Sequence, residues 1–145
     1  MNHIIENIAQ IRRQIEEAAL GVGRNPDEVK LLLATKTVSA DNIRIAIESG
    51  EHLIGENRAQ EIKSKYTDLM DLPHEKHFIG HLQTNKIKEL LRYDVTCIQS
   101  VDRLRLAKKL QARLEFEKKE IDVLIQVNTS NEESKFGIAP EKAIE

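Results

Sequence analysis

Cysteine occurs once in this 145-residue sequence, tryptophan is absent, and aromatic residues make up only 3% of it. A lone cysteine, Cys97, excludes an internal disulfide and a zinc site built from several thiolates, and it fits a reducing compartment. It reads as a buried core thiol. So few aromatic rings leave no set of platforms on which nucleic-acid bases could stack. No apolar run approaches the length needed to span a bilayer, and the N-terminus lacks the continuous apolar segment of a secretory signal. A formal net charge of −2 gives no overall attraction to nucleic acid or to an anionic membrane, so phosphate recognition has to be local. The expectation is a cytoplasmic protein that binds neither nucleic acid nor membrane and whose partner is a small molecule.

What is present is the composition of an ordinary globular domain, 40% hydrophobic and 32% charged. Ile4, Ile8, Ile11, Ile15, Ala18 and Val22 recur at helical spacing and predict an amphipathic helix over residues 3–20, ended by Gly21 and Gly23. Turn chemistry at Asn25-Pro26-Asp27 precedes a buried strand over residues 29–34. Ser39 then caps a helix over residues 40–49, which Gly50 closes. The same grammar repeats down the chain. Weak strands at 52–55 and 77–80 lead to helices over 58–70 and 84–92, and a strand at 95–99 leads to a helix capped by Asp102. The clearest strand, residues 121–127, ends in Asn128-Thr129-Ser130, and Pro140 opens a further helical turn.

Repeated strand-helix units imply parallel strands joined by right-handed crossovers. A doubly wound open sheet would carry a glycine-rich phosphate turn after its first strand, and Lys36-Thr37-Val38-Ser39 contains no glycine. A (β/α)8 barrel builds its site from polar residues at successive strand ends, and here those ends supply Lys36, Asn57, His81, Ser100 and Asn128. The α/β fold expected is therefore a TIM-barrel-like one, and since a whole barrel takes about 200 or more residues, either residues 1–145 form the first five or so strand-helix units of a single barrel domain or something else completes the sheet. Five strands of an opened barrel expose two edges, which predicts a partner chain, a swapped element or aggregation, and hence a homo-oligomer or a marginally stable domain.

Leu31-Leu32-Leu33-Ala34-Thr35-Lys36-Thr37 drives an apolar run into a lysine at a strand end. On position alone Lys36 fits a side chain snorkelling to solvent, a phosphate contact, or an amine that forms a Schiff base, activated by an apolar mouth that disfavours its charged form. Glu56 reads as an ion-pair partner for that lysine or as a solvated carboxylate, and Asn57 as a donor to a ring hydroxyl. His77 and His81 share i, i+4 spacing, but on a strand they lie about 13 Å apart, too far to share a metal. Gln83, Asn85 and Lys86 open a helix and could meet an anion. Lys135, in the polar loop after Asn128, could add positive charge near Lys36. No glycine-flanked serine elbow supports a serine-based triad.

Several stretches, in order and across nearly the whole chain, resemble the signatures of the pyridoxal phosphate homeostasis protein family. They are Leu33-Ala34-Thr35-Lys36-Thr37, Gly55-Glu56-Asn57, the run from His77 to Lys86, Ser100-Val101-Asp102-Arg103, the run from Val123 to Ser130, and Glu133-Ser134-Lys135. The resemblance implies a pyridoxal 5′-phosphate barrel similar to the N-terminal domain of alanine racemase. It implies Lys36 as the Schiff-base lysine, Asn57 near the cofactor ring and Lys135 near the site. With the strand-end residues His81, Ser100 and Asn128, these make up the expected cofactor-binding set. The family's phosphate cup and ring-nitrogen arginine come from later strands, so no phosphate ligand is assigned here. The implied role is intracellular cofactor homeostasis with no well-established turnover. The alternatives are a racemase-like enzyme, which would need a second acid/base group, and an inactive truncated scaffold.

Overall fold

The computed structural model of the protein describes residues 2–145, whose strands are β1 (Leu33–Ala34), β2 (Leu53–Glu56), β3 (Glu75–Phe78), β4 (Val95–Val101) and β5 (Asp122–Ile125). They form one sheet in sequence order, each neighbouring pair parallel. Parallel neighbours need a crossover at every step, and α2 (Ala40–Glu48), α3 (Ala59–Leu69), α4 (Ile87–Arg92) and α5 (Leu104–Glu117) supply them. A strand order that never reverses belongs to a partial (β/α) barrel rather than to a doubly wound sheet. This is the α/β architecture that the strand-helix grammar predicts.

Side chains alternate across the sheet. Ile54, Phe78 and Ile98 face the helices, where Phe78 and Ile98 join Leu82, Leu90 and Leu106 in the larger core cluster. Ile54 joins Ile43, Ile47 and Leu69 in the smaller one. Leu82, Leu90, Ile98 and Leu106 are fully excluded from water, each burial being worth on the order of 2 kcal/mol. Gly55 alternates to the opposite face, where a Cβ would stand 2.6 Å from Leu32 Cδ2 and 3.1 Å from Ile79 Cδ1. His77 and Gln99 also meet on that face, their side-chain nitrogens 2.8 Å apart. Cys97 is buried as expected, and burial pushes its thiol up from its ordinary value, aided by Asp122 and Glu75.

The elements depart from the sequence pattern where tertiary contacts decide. In α1 (Asn2–Gly21), Ile4, Ile8, Arg12, Ile15 and Ala19 are at least partly buried, whereas Ile11 is exposed and Val22 lies beyond the helix in solvent. The stripe is turned because Glu51, 5% exposed, needs a cation, and both nitrogens of a bidentate Arg12 fork meet it. β1 holds only two residues instead of six, because it pairs on one side only, with β2. β3 begins two residues earlier than expected, at Glu75, whose N–H donates to His52. β5 is shorter than residues 121–127 and exposed along its length. Ser39 caps α2 as predicted, accepting from the Asn42 N–H. Asp102 does not cap α5. Arg103 stands at that position without a side-chain cap bond, and Asp102 turns toward the strand-end rim.

Among the described residues no helix is long and apolar enough to cross a membrane. Gly80 is required by close approach, since a Cβ there would collide with the Asn57 backbone carbonyl. Gly80→Ala should therefore cost roughly 2 kcal/mol or more by urea denaturation. Gly21→Ala, with nothing within 4 Å, should change stability by less than about 1 kcal/mol.

Candidate functional site

The strand ends on one side of the sheet carry the candidate chemistry. After β1, the Thr35 N–H donates to the Gly55 carbonyl at 2.9 Å, which extends the pairing by one residue. The Val38 N–H then donates to the Thr35 carbonyl at 3.1 Å and closes a four-residue turn with Lys36 at its second position. Thr37 sits at φ +62°, the left-handed region that a β-branched residue rarely adopts. The Lys36 side chain is exposed and has no hydrogen-bond or ion-pair partner among the described residues. The apolar mouth expected around it is not formed by these residues, because β1 is an edge strand and Leu31, Leu32 and Leu33 are only half-buried.

Glu56 is neither a partner for Lys36 nor a solvated carboxylate. It lies on the helix-covered face with Ile54, 2% exposed, and its Oε1 accepts from Lys65 Nζ and from Thr35 Oγ1, each at 2.7 Å. Lys65 Nζ donates in addition to the Thr35 carbonyl at 2.9 Å and pairs with Glu61 Oε2 at 2.7 Å. Lys65 chiefly, helped by the Thr37 backbone amide, holds the Glu61 carboxyl below its ordinary range against the opposing effect of burial. Lys65 is not among the candidate residues at the strand ends, since it lies on a helix. A signal was there: Lys65 follows Ile62 by three residues on the buried stripe of α3, between Ala59 and Leu69, where a lysine needs an anion beneath it.

Further along the rim, the Ile79 N–H donates to the Glu56 carbonyl at 2.9 Å, and Gly80 packs on the Asn57 backbone. Asn57 is therefore fixed between β2 and β3, with half-exposed side chain. His81 follows, exposed, its Nδ1 3.7 Å from Asp102 Oδ2 and its ring stacked on Phe136 with centroids 3.7 Å apart and planes 13° from parallel. Arg103 bonds Asp102 at 2.7 Å and also the Leu82 carbonyl, tying the ends of β3 and β4 together. Phe136 brings the loop after β5 over His81 and places Lys135 beside that contact. Asn128 organises the same loop from its base, its amide donating to the Glu132 carbonyl at 3.0 Å and reaching the Lys135 carbonyl at 3.5 Å. Ser100 lies inward of the rim, two residues beyond Ile98, 1% exposed and with Oγ unpartnered. Lys86 is exposed and meets Glu89 at 3.5 Å. Lys36, Asn57, His81 and Lys135 thus lie on one rim, Asn128 braces its loop, and Ser100 is sealed beneath. Among the described residues no cluster of three or more His, Cys, Asp or Glu side chains could hold a metal ion.

No family model matches the chain. Individual proteins match it over nearly its full length. It is 41% identical over 141 residues to the pyridoxal phosphate homeostasis protein of Pseudomonas aeruginosa, covering 97% of this chain and 61% of that protein. With the protein of the same name from Aquifex aeolicus it shares 43% identity over 136 residues, 94% of this chain and 59% of the relative. The chain thus spans about three-fifths of the length of the curated relatives it matches. An unknown protein from Bifidobacterium adolescentis superposes with a TM-score of 0.87 at 35% identity, covering 99% of this chain and 62% of that one. PipY of Synechococcus elongatus superposes at 31% identity in two structures. Without PLP the TM-score is 0.83, over 95% of this chain and 60% of PipY. With PLP bound it is 0.78, over 89% and 56%.

Phe136 is 56% exposed, so its main tie to the rest of the fold is the His81 stack. Phe136→Ala should remove about 0.5–1.5 kcal/mol of local stability, a roughly two- to tenfold faster amide exchange in residues 131–136 with an almost unchanged melting temperature.

Proposed function

Because this chain is a homologue of the pyridoxal phosphate homeostasis proteins, sharing their sequence and fold across nearly its whole length, we propose that it binds pyridoxal 5′-phosphate through Lys36. The observation that carries the reading is the unpartnered Lys36 amine, presented by a tight turn on the strand-end rim of a fold that superposes on PipY, a protein solved with PLP bound. Lys36 would hold the cofactor covalently, since a neutral lysine amine can condense with the cofactor's aldehyde to an imine, the C=O bond giving way to C=N and the carbonyl oxygen departing as water. Asn57, fixed by Gly80, is positioned to meet a ring substituent, and Lys135, carried in by the Phe136 stack, supplies a second cation to the same rim. His81 stands between them. Asn128 and Ser100 serve from behind, the first by shaping the loop and the second from within the sheet.

The role that follows is a carrier that holds a reactive aldehyde at low free concentration, not a catalyst that turns it over. Residues 1–145 act as the first portion of one barrel domain in this reading. β5 presents Val123, Leu124 and Ile125 at 45–59% exposure, and an exposed apolar edge supports self-association of the chain.

Two measurements test the proposal. Adding pyridoxal 5′-phosphate should give a Schiff-base absorbance band, and borohydride reduction with peptide mapping should place the label on Lys36 and lose it in Lys36→Ala. Label spread evenly over surface lysines would refute the assignment and favour an inactive scaffold. Light scattering should give a mass above that of one chain, and a stable monomer in dilute buffer would remove the self-association.

A further inference from the structure

Lys36 springs from a turn that α3 meets from below. The Thr35 carbonyl belongs to the peptide joining Thr35 to Lys36, and it accepts from Lys65 Nζ at 2.9 Å as well as from the Val38 N–H at 3.1 Å. Lys65 Nζ also pairs with the Glu61 carboxylate on α3 at 2.7 Å. The Thr35 hydroxyl adds a third tie, donating to Glu56 Oε1 at 2.7 Å, the oxygen that Lys65 also holds. We propose that Lys65 is a positioning residue for Lys36, an ammonium that clamps the turn carrying the reactive amine by engaging Thr35, Glu56 and Glu61 at once.

Chemistry and burial favour this over a pair that merely supports the core. The Lys65 ammonium donates one hydrogen bond to the turn and one to β2, and it pairs by charge with Glu61 on α3 itself. The Lys65 side chain is only 11% exposed, so water competes little for those bonds. Thr37 is held at φ +62°, a conformation that persists in a β-branched residue only when its surroundings impose it. Lys36 itself has no hydrogen-bond or ion-pair partner among the described residues, so its direction is set by the turn. The clamp lies on the helix-covered face, whereas the Lys36 side chain is exposed. The inference rests on the reading of Lys36 as the aldehyde-binding amine, and it assigns that amine its support.

Removing Lys65 alone leaves Glu56 buried without a cation and risks unfolding. The comparison is therefore made in a Glu56→Gln background, with Lys65→Met and Lys65→Arg added separately, each in the full chain. Amide exchange at Lys36, Thr37 and Val38 should rise about tenfold with Lys65→Met relative to Glu56→Gln alone, and Lys65→Arg should restore most of the protection. The share of borohydride-fixed pyridoxyl label on Lys36 should fall about tenfold in the same variant, label on other lysines staying constant. Leu110→Ala, which truncates the larger core cluster on α5 away from the turn, should leave exchange at the turn unchanged at a temperature where the chain is folded. Unchanged exchange in the Lys65→Met variant, or equal loss of protection in Leu110→Ala, would overturn the proposal. An unsubstituted chain that takes no label at Lys36 would instead overturn the reading of Lys36, while the exchange comparison would still decide whether Lys65 holds the turn.

Discussion

A carboxylate buried at the end of a strand has to be neutralised, and the way Glu56 is neutralised sets the geometry of the rim around it. Lys65 reaches it from α3, and the same ammonium holds the Thr35 carbonyl, so the end of β1, the end of β2 and the first two turns of α3 are locked to one another. Such a pair costs several kcal/mol to desolvate and contributes little net stability, whereas losing one partner costs about 3–5 kcal/mol. Its value lies in specificity. An edge strand two residues long has little hydrogen bonding of its own with which to fix the turn that follows it. The ion pair makes up that deficit from the helix side.

The rest of the rim is built by a similar device, with each loop pinned to the strand end before it. Gly80 lets β3 close on the Asn57 backbone, Arg103 joins Asp102 to the Leu82 carbonyl, and Phe136 lies on His81. None of these contacts depends on a bound molecule. The result is a row of polar groups from successive strands on a preformed frame, which is how barrel folds present ligand sites. The core beneath follows from alternation: Ile54, Phe78 and Ile98 bury against helices, and the residues between them turn to the opposite face.

Periodicity in the sequence carried the element order and the parallel architecture, because strand-helix alternation and missing phosphate-turn glycines are local facts. It placed α2 to within a residue, since Ser39 and Gly50 mark its ends by their own chemistry. It misjudged residues whose surroundings come from elsewhere in the chain. Hydrophobicity alone made residues 121–127 the clearest strand, yet β5 is exposed, because burial depends on what covers a strand. Neighbouring strand ends suggest Glu56 as a partner for Lys36 or as a solvated carboxylate, and it is neither. Which face a strand-end side chain takes depends on register, and register put Glu56 under α3 with Lys65. The stacking of Phe136 on His81 joins residues 55 positions apart and left no trace in local pattern. The motif resemblance, by contrast, survived comparison with whole proteins, since it rested on several stretches in a fixed order.

The account turns on Lys36 being the one lysine of this chain that the fold presents to an aldehyde. A titration with pyridoxal 5′-phosphate, followed by NMR of the Cε carbons of isotopically labelled lysines, reads that directly, since Lys36 and its competitors report side by side. The account predicts that the Lys36 resonance moves first and saturates at one equivalent while the other exposed lysines stay in place. Equal movement of all exposed lysines, or no movement of Lys36, would contradict it.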